Sequence, residues 1–366
     1  MVQTITSKFK WVLDITAVET LLRKLQIRDE VINYVCRASR EVAQAENLPE
    51  FFEFCGSWQE HVKQQTADNY SPRWQVLAIV SSFPEVIENH RARGVSWEIT
   101  RATLADFQRD TRIDNATEKL WKFNRLSWMC NHVSGNLFEI GRLQYIPEKF
   151  GYKFRIYKNS ESGEIISLAL PGLHCTSQGL LCDDATAFET ILEENEEGIV
   201  GHPVLANGII SSIVQKIPAT SKVLLDADST VAIIHIPSGS KLDRADCCQS
   251  LRDASDFFKK YFPDIQIRAF CTCTWLLDPE LRKILPADSN IASFGALFLP
   301  LTITNANDGQ LRERVFDNAE WEQSKAENSL QKAILNHHKN GGEFRSAAGF
   351  ILPEEIESYS LQNVTA

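Results

Sequence analysis

No uninterrupted apolar run in this 366-residue sequence reaches the roughly 18 residues that a membrane span needs. Charged residues break every early apolar stretch of MVQTITSKFKWVLDITAVETLLRK, so neither an export signal nor a membrane role is expected. Positive charge is scarce as well. Thirty-eight Lys plus Arg stand against 48 Asp plus Glu, a formal net charge of −10, and such a balance disfavours nucleic acid as a partner held by bulk charge. Nine cysteines occur with no CxxC pair, an odd total and no scaffold-like rhythm. That pattern fits reduced thiols in a cytoplasmic protein better than a disulfide framework, and it leaves no metal site to expect. A G-x-S-x-G elbow and a convincing Cys/His pairing are also missing, which sets a hydrolase aside. With 43% hydrophobic residues, 13 prolines and 17 glycines, the chain has what two or three packed domains require.

From Ile15 to Asn131 the apolar spacing is helical. Val18, Leu21, Leu22 and Leu25 form one face, and Asp29 is placed to cap a second helix carrying Val31, Ile32 and Val35. Phe51, Phe52 and Phe54 open another segment, Trp74 to Val80 reads as a buried helix, and Pro84 reads as the start of the next. Ser96 is a candidate cap for a helix with Ile99, Leu104 and Phe107, and Leu120 to Met129 is the last amphipathic stretch.

The texture changes at Asn136. Asn136 to Ile146 and Tyr152 to Tyr157 read as extended segments joined by a turn near Pro147 and Gly151, and Ile165 to Leu170 as a third strand. Glu193 to Glu197 is expected on an exposed helix end or loop. Then Val231 to Ile236 forms a short apolar run, Pro237-Ser-Gly-Ser240 a loop, Asp243 to Phe262 a helix and Ile265 to Trp275 a strand, the order of a βαβ crossover. Further on, short helices start at Asp278-Pro279 and Ser289; Leu299 to Thr304 and Arg312 to Phe316 look extended. Ala326 to His337 is amphipathic, and Ala347 to Leu352 is the final strand. The expected fold class is α+β, with an all-helical N-terminal domain over residues 1–135 and a mixed-sheet α/β domain over 136–366.

Five phrases carry a resemblance: HRARGVSWEITRATLADF, NHVSGNLFEIGRLQY, VAIIHIPSGSKL, SLRDASDFFKKYFP and CTWLLDPELRKILPADSNIASF. In this order they resemble a bacterial two-domain acyltransferase family, whose members join a helical N-terminal acyltransferase domain to a GNAT-like C-terminal domain. The resemblance implies acyl-coenzyme A as co-substrate and an N-acyltransferase reaction onto an amine of a small molecule. It places the pyrophosphate of coenzyme A on the loop after the fourth GNAT strand, here Ser238, Gly239, Ser240 and Lys241. The loop departs from the usual GNAT signature, Arg or Gln followed by x-x-Gly-x-Gly or Ala, and Ser-Gly-Ser at a strand-to-helix turn is more often plain capping chemistry. A non-catalytic GNAT-like ligand-binding or partner-docking protein is therefore the alternative.

His235 lies near the carboxyl end of the expected central strand, where open α/β sheets bind ligands, and an imidazole there can take a proton from an amine. Strand alternation also puts it on a face with Val231 and Ile233, the setting of a core histidine. Glu139 is the second candidate base. If its strand is central, Glu139 and Arg142 must pair or meet a ligand, because an isolated buried charge costs several kcal/mol. Arg142, Gln144, Thr272, Thr274 and Asn290 are candidate substrate contacts, whereas Cys271 and Cys273, on the apolar face of their strand, are expected to be structural.

Overall fold

A computed structural model describes residues 8–109, 126–182, 187–303, 308–317 and 319–356. Contacts divide the chain into two compact units, Met1–Ile146 with Ile236–Ser240, and Pro147–His235 with Lys241–Ala366.

The first unit is built on helices α1 (Ile15–Lys24), α2 (Asp29–Ala43), α3 (Leu48–Lys63), α4 (Pro72–Ala92), α5 (Trp97–Ala105) and α6 (Leu126–Val133). Their starts follow side-chain chemistry. Asp14 accepts the Thr16 and Ala17 amides, Ser71 the Trp74 amide and Ser96 the Ile99 amide. Arg28, not Asp29, is the N-cap of α2; Asp29 sits in the first turn beside Glu30, where carboxylates suit the helix dipole. Val18, Leu22, Val31, Val35, Phe51, Phe54, Val76, Ile79 and Phe83 are buried in one core, each worth about 1.5–3 kcal/mol in removed apolar surface.

Pro84 does not begin a helix; it lies inside α4. An interior proline costs about 3 kcal/mol, but Val76, Ile79, Val80, Phe83 and Val86 continue one buried stripe through it, and breaking the helix there would expose them. Of the expected Leu120–Met129 helix, residues 120–125 lie outside the described residues.

The expected strand from Asn136 is a hairpin instead. β1 (Phe138–Ile140) pairs antiparallel with β2 (Leu143–Lys149), Ile140 facing Leu143. The two residues between them are Gly141 and Arg142, with Gly141 at φ +62°, as a two-residue hairpin with glycine first demands. The turn ends the simple alternation, so Arg142 and Gln144 do not share a strand face with Phe138.

The second unit contains β3 (Phe154–Lys158), β4 (Ile165–Ala169), β5 (His174–Cys175), β6 (Phe188–Glu189), β7 (Leu192–Asn195), β8 (Gly198–Gly201), β9 (Gln215–Ile217), β10 (Lys222–Leu225) and β11 (Thr230–His235). There follow α7 (Arg244–Tyr261), β12 (Ile267–Thr274), α8 (Pro279–Ile284), α9 (Asn290–Gly295), β13 (Leu299–Ile303), α10 (Gly309–Phe316), α11 (Ser329–Lys339), β14 (Ala347–Ile351) and α12 (Pro353–Ile356). The main sheet of this unit runs β11-β12-β14-β13. It is mixed: β11 and β12 are parallel, and β14 is antiparallel to both β12 and β13. Smaller sheets run β10-β3-β4, β7-β8-β9 and β5-β6. The α+β class read from the sequence is the class observed.

Two local readings change. Glu193 and Glu194 are exposed, but on strand β7, where Arg155 pairs with Glu194, and not on a helix end or loop. Arg312–Phe316 is helical, part of α10, with the Arg312 amide donating to the Asp308 carbonyl at 2.9 Å and Leu311 and Phe316 buried. Five residues are too short a window to separate the two periods. Thr304, expected to end a strand, lies outside the described residues.

Candidate functional site

The expected βαβ crossover is formed by β11, α7 and β12. Val231, Ala232 and Ile234 are buried, and the parallel ladder pairs Ala232 with Phe270 and Ile233 with Cys271. Beyond Ile233 the strands are tied by a side chain: the buried Thr272 hydroxyl donates to the Ile234 carbonyl at 3.0 Å. His235 ends β11, half-buried, and Ser238 to Lys241 are exposed. Gly239 adopts φ +98°, a Cβ placed there would meet nothing within 4 Å, and among the described residues no acceptor takes its N–H. Asp243 caps α7, its Oδ1 accepting the Ala245 amide at 2.8 Å and the Asp246 amide at 3.3 Å. The positive end of that helix is thus already occupied by a carboxylate.

Arg142 projects from the hairpin turn and donates twice, from Nη1 to the Pro237 carbonyl at 3.0 Å and from Nη2 to the Ser240 carbonyl at 2.9 Å. This side chain, expected either to pair or to contact substrate, grips the backbone of the loop with its fork. Gln144 is buried and donates from Nε2 to Glu139 Oε2 at 2.8 Å.

Glu139 sits in a buried ionic cluster of the first unit. Arg109 meets both of its oxygens, at 2.9 and 2.7 Å, and the Glu139 amide donates to the Thr103 hydroxyl at 2.9 Å. Arg109 also pairs with Asp106, whose other oxygen accepts Trp128 Nε1 at 3.1 Å and lies 2.9 Å from His132 Nε2. Burial pushes the Asp106 carboxyl up, but His132, Arg109 and Trp128 outweigh it and hold it well below the usual carboxylate range. Burial likewise works against the Arg109 charge, yet Glu139 and Asp106 raise its pKa. A cavity of about 690 Å³ opens beside this cluster, lined by Arg28, Glu98, Arg101, Arg109 and Glu139 among others. Both oxygens of Glu139, the second candidate base, are thus engaged by the Arg109 guanidinium.

Thr274 is buried and caps the turn that follows β12, its Oγ1 accepting the Leu276 amide at 3.3 Å. Asn290 is exposed as the first residue of α9, and Ser289 caps that helix. Cys271 is buried, and desolvation drives its thiol pKa far up, whereas Cys273, expected on the same buried strand face, is exposed. Of the residues expected to form a site, the structure gathers Glu139 with Gln144, and Arg142 with the loop at Pro237–Ser240. The sequence reasoning missed Asp106 and Arg109. Thr103, Asp106 and Arg109 recur every three residues and so fall on one side of a helical turn; that spacing was the available signal.

Two family models match the chain. A GNAT-like C-terminal domain matches residues 137–351, more than half of its length, and an N-acyltransferase N-terminal domain matches residues 16–135. The chain belongs to the GNAT-like C-terminal domain family. No curated protein matches it. Among solved structures, this GNAT-like chain is similar to an acyltransferase in complex with decanoyl-CoA and teicoplanin, with 17% identity, a TM-score of 0.59, and 92% of this chain and 88% of that one covered. A second, an acyltransferase in complex with CoA and 10C-teicoplanin, has 17% identity and a TM-score of 0.59, covering 92% and 87%. At such identity the likeness speaks for the fold. Among the described residues of this GNAT-like chain, no helix is long and apolar enough to cross a membrane.

Proposed function

We propose that this protein is an acyltransferase that moves an acyl group from acyl-coenzyme A to an amine of a small molecule. The observation that carries the reading is the loop after β11: an exposed turn with Gly239 at φ +98°, open space where a side chain would stand, and an N–H that no described residue uses. Such a backbone approaches a pyrophosphate closely without a clash. The two similar acyltransferase structures hold decanoyl-CoA with teicoplanin and CoA with 10C-teicoplanin, which supports this donor class and a small-molecule acceptor.

In this reaction the amine nitrogen attacks the thioester carbonyl, the carbon–sulfur bond breaks, and coenzyme A leaves as its thiolate. The proton shed by nitrogen goes to His235 and then to the departing sulfur. The protein needs no covalent intermediate; holding the thioester against the amine supplies much of the rate. Ser238, Gly239, Ser240 and Lys241 receive the pyrophosphate in this scheme, and Thr272 supports His235 indirectly through its bond to the Ile234 carbonyl. Thr274 and Asn290 take no step in it.

The non-catalytic reading draws on Asp243, whose carboxylate at the start of α7 repels an anion. Calorimetric titration separates the two. The expected result is binding of acetyl-, octanoyl- or decanoyl-CoA by the wild-type protein, and loss of about 10²-fold or more in turnover for His235→Ala at unchanged donor affinity. Absence of heat with all three donors at millimolar concentration overturns the transferase reading.

A further inference from the structure

We infer that Arg142 is a positioning residue for the anion site: by gripping the Pro237 and Ser240 carbonyls it turns the amides of the intervening loop toward the pyrophosphate of the donor. The inference rests on the acyl-coenzyme A reading above and adds to it the residue that shapes the loop.

The argument begins with the peptide plane. In a trans peptide the carbonyl and the following N–H point in opposite directions across the plane, and no cis peptide occurs among the described residues. Arg142 Nη1 draws the Pro237 carbonyl toward itself at 3.0 Å, so the Ser238 N–H of the same plane points away from the guanidinium. Nη2 holds the Ser240 carbonyl at 2.9 Å, and the Lys241 N–H is likewise turned away. Between these two fixed planes lies Gly239 at φ +98°, a conformation that other residues rarely adopt. One cation therefore covers the carbonyl side of the turn and leaves the donor side facing the other way. Without it, those two carbonyl dipoles are free to rotate toward an incoming anion and repel it.

The choice of residue and its mounting fit this role. A guanidinium is a rigid planar fork that spans two acceptors at once, whereas an ammonium serves them as a single point. Arg142 is carried on the tight β1–β2 turn, where Gly141 at φ +62° sets the backbone direction. Both of these acceptors are backbone atoms, so the two contacts fix loop shape whatever side chains the loop bears.

The test measures the affinity of coenzyme A and of inorganic pyrophosphate by calorimetry for the wild-type protein, Arg142→Ala and Arg142→Lys. Ser39→Ala serves as a stability control, because it deletes a buried hydrogen bond to the Val12 carbonyl in the same unit. The expected result is that R142A weakens both ligands by about tenfold or more, as loss of charge-assisted hydrogen bonds implies. R142K should recover part of that loss, and S39A should lower the melting temperature while leaving both affinities unchanged. If R142A fails to fold, R142K decides alone, by weakening both ligands severalfold at an unchanged melting temperature. Equal affinities in the wild-type protein and the Arg142 variants overturn the positioning role and leave the transferase reading standing. So does an S39A loss as large as that of R142A. A wild-type protein that binds neither ligand overturns both.

Discussion

Arg109 carries two carboxylates on one guanidinium, and its side chain is only 22% exposed. Removing it would strand Glu139 and Asp106 in a setting with little water, and breaking a buried ion pair on one side costs about 3–5 kcal/mol. Urea unfolding of Arg109→Ala should show a loss of that size. The double variant Arg109→Leu/Glu139→Leu should recover a substantial part of it, since it removes the stranded charge together with its partner. A loss below about 1 kcal/mol for R109A would mean that water already solvates the pair. The need for this pairing was legible in the sequence, because a glutamate on a strand near the core must be neutralised. Its partner was not: Arg109 lies 30 residues away and no local spacing points from one to the other. The same limit applies to Arg142. The sequence shows a cation that must meet something, but the partners are two backbone carbonyls that begin 95 residues further along.

Secondary elements were readable wherever side chains declare their ends. Ser96, Asp278 and Ser289 each accept an amide from the first turn of the helix that follows, as their residue types and positions suggested. Reading failed where one residue carries two meanings. Gly141 interrupts an alternating run without the polar cluster that usually marks a turn, so the hairpin reads as one strand in the sequence. Pro84 looks like a helix start, yet the buried stripe around it continues. Glycine is decisive again at Gly349, in the middle of β14, opposite Thr272 of β12 and Pro300 of β13. A Cβ there would come within 2.9 Å of the Phe298 Cβ and 3.0 Å of the Leu299 carbonyl oxygen. Neither is the far end of a flexible chain, so the strands themselves would have to move. Gly349→Val should therefore destabilise the protein by about 1–3 kcal/mol or more, read as a lowered urea midpoint with an unchanged slope. An unchanged midpoint would show that β13 yields at no cost.

At the scale of the whole molecule, acid acts on the two units in opposite senses. His90, in the first unit, is 1% exposed; its Nδ1 meets the Thr100 hydroxyl at 3.0 Å and its ring stacks on Phe138. Burial, helped by the charge of Arg93, lowers its pKa from 6.5 to about 4. Between those values the unfolded chain binds a proton that the native unit refuses, so stability from this group is full above pH 6.5 and falls as the solution is acidified. The shift corresponds to a loss on the order of 3 kcal/mol. Asp278, in the second unit, is 2% exposed, and burial raises its pKa from 3.8 to about 6 against the opposing amides of Glu280 and Arg345. Here the native unit takes up the proton first. Stability from this group is therefore full below pH 3.8 and is lost as the pH rises through about 6, again on the order of 3 kcal/mol. Measured on the chain as a single cooperative whole, the two trends nearly cancel between pH 4 and 6.5. Hydrogen exchange with mass analysis, corrected for the intrinsic rate, resolves them. From pH 7 to pH 4.5, peptides of α4 and α5 should lose protection relative to peptides of β12 and β14. His90→Asn should abolish the loss in the first unit, and Asp278→Asn the relative gain in the second. Protection that falls equally in both units, or a slope that survives H90N, would assign the acid response to other groups. A split response would also mean that each unit opens on its own, since a chain that unfolds only as one would average the two slopes everywhere.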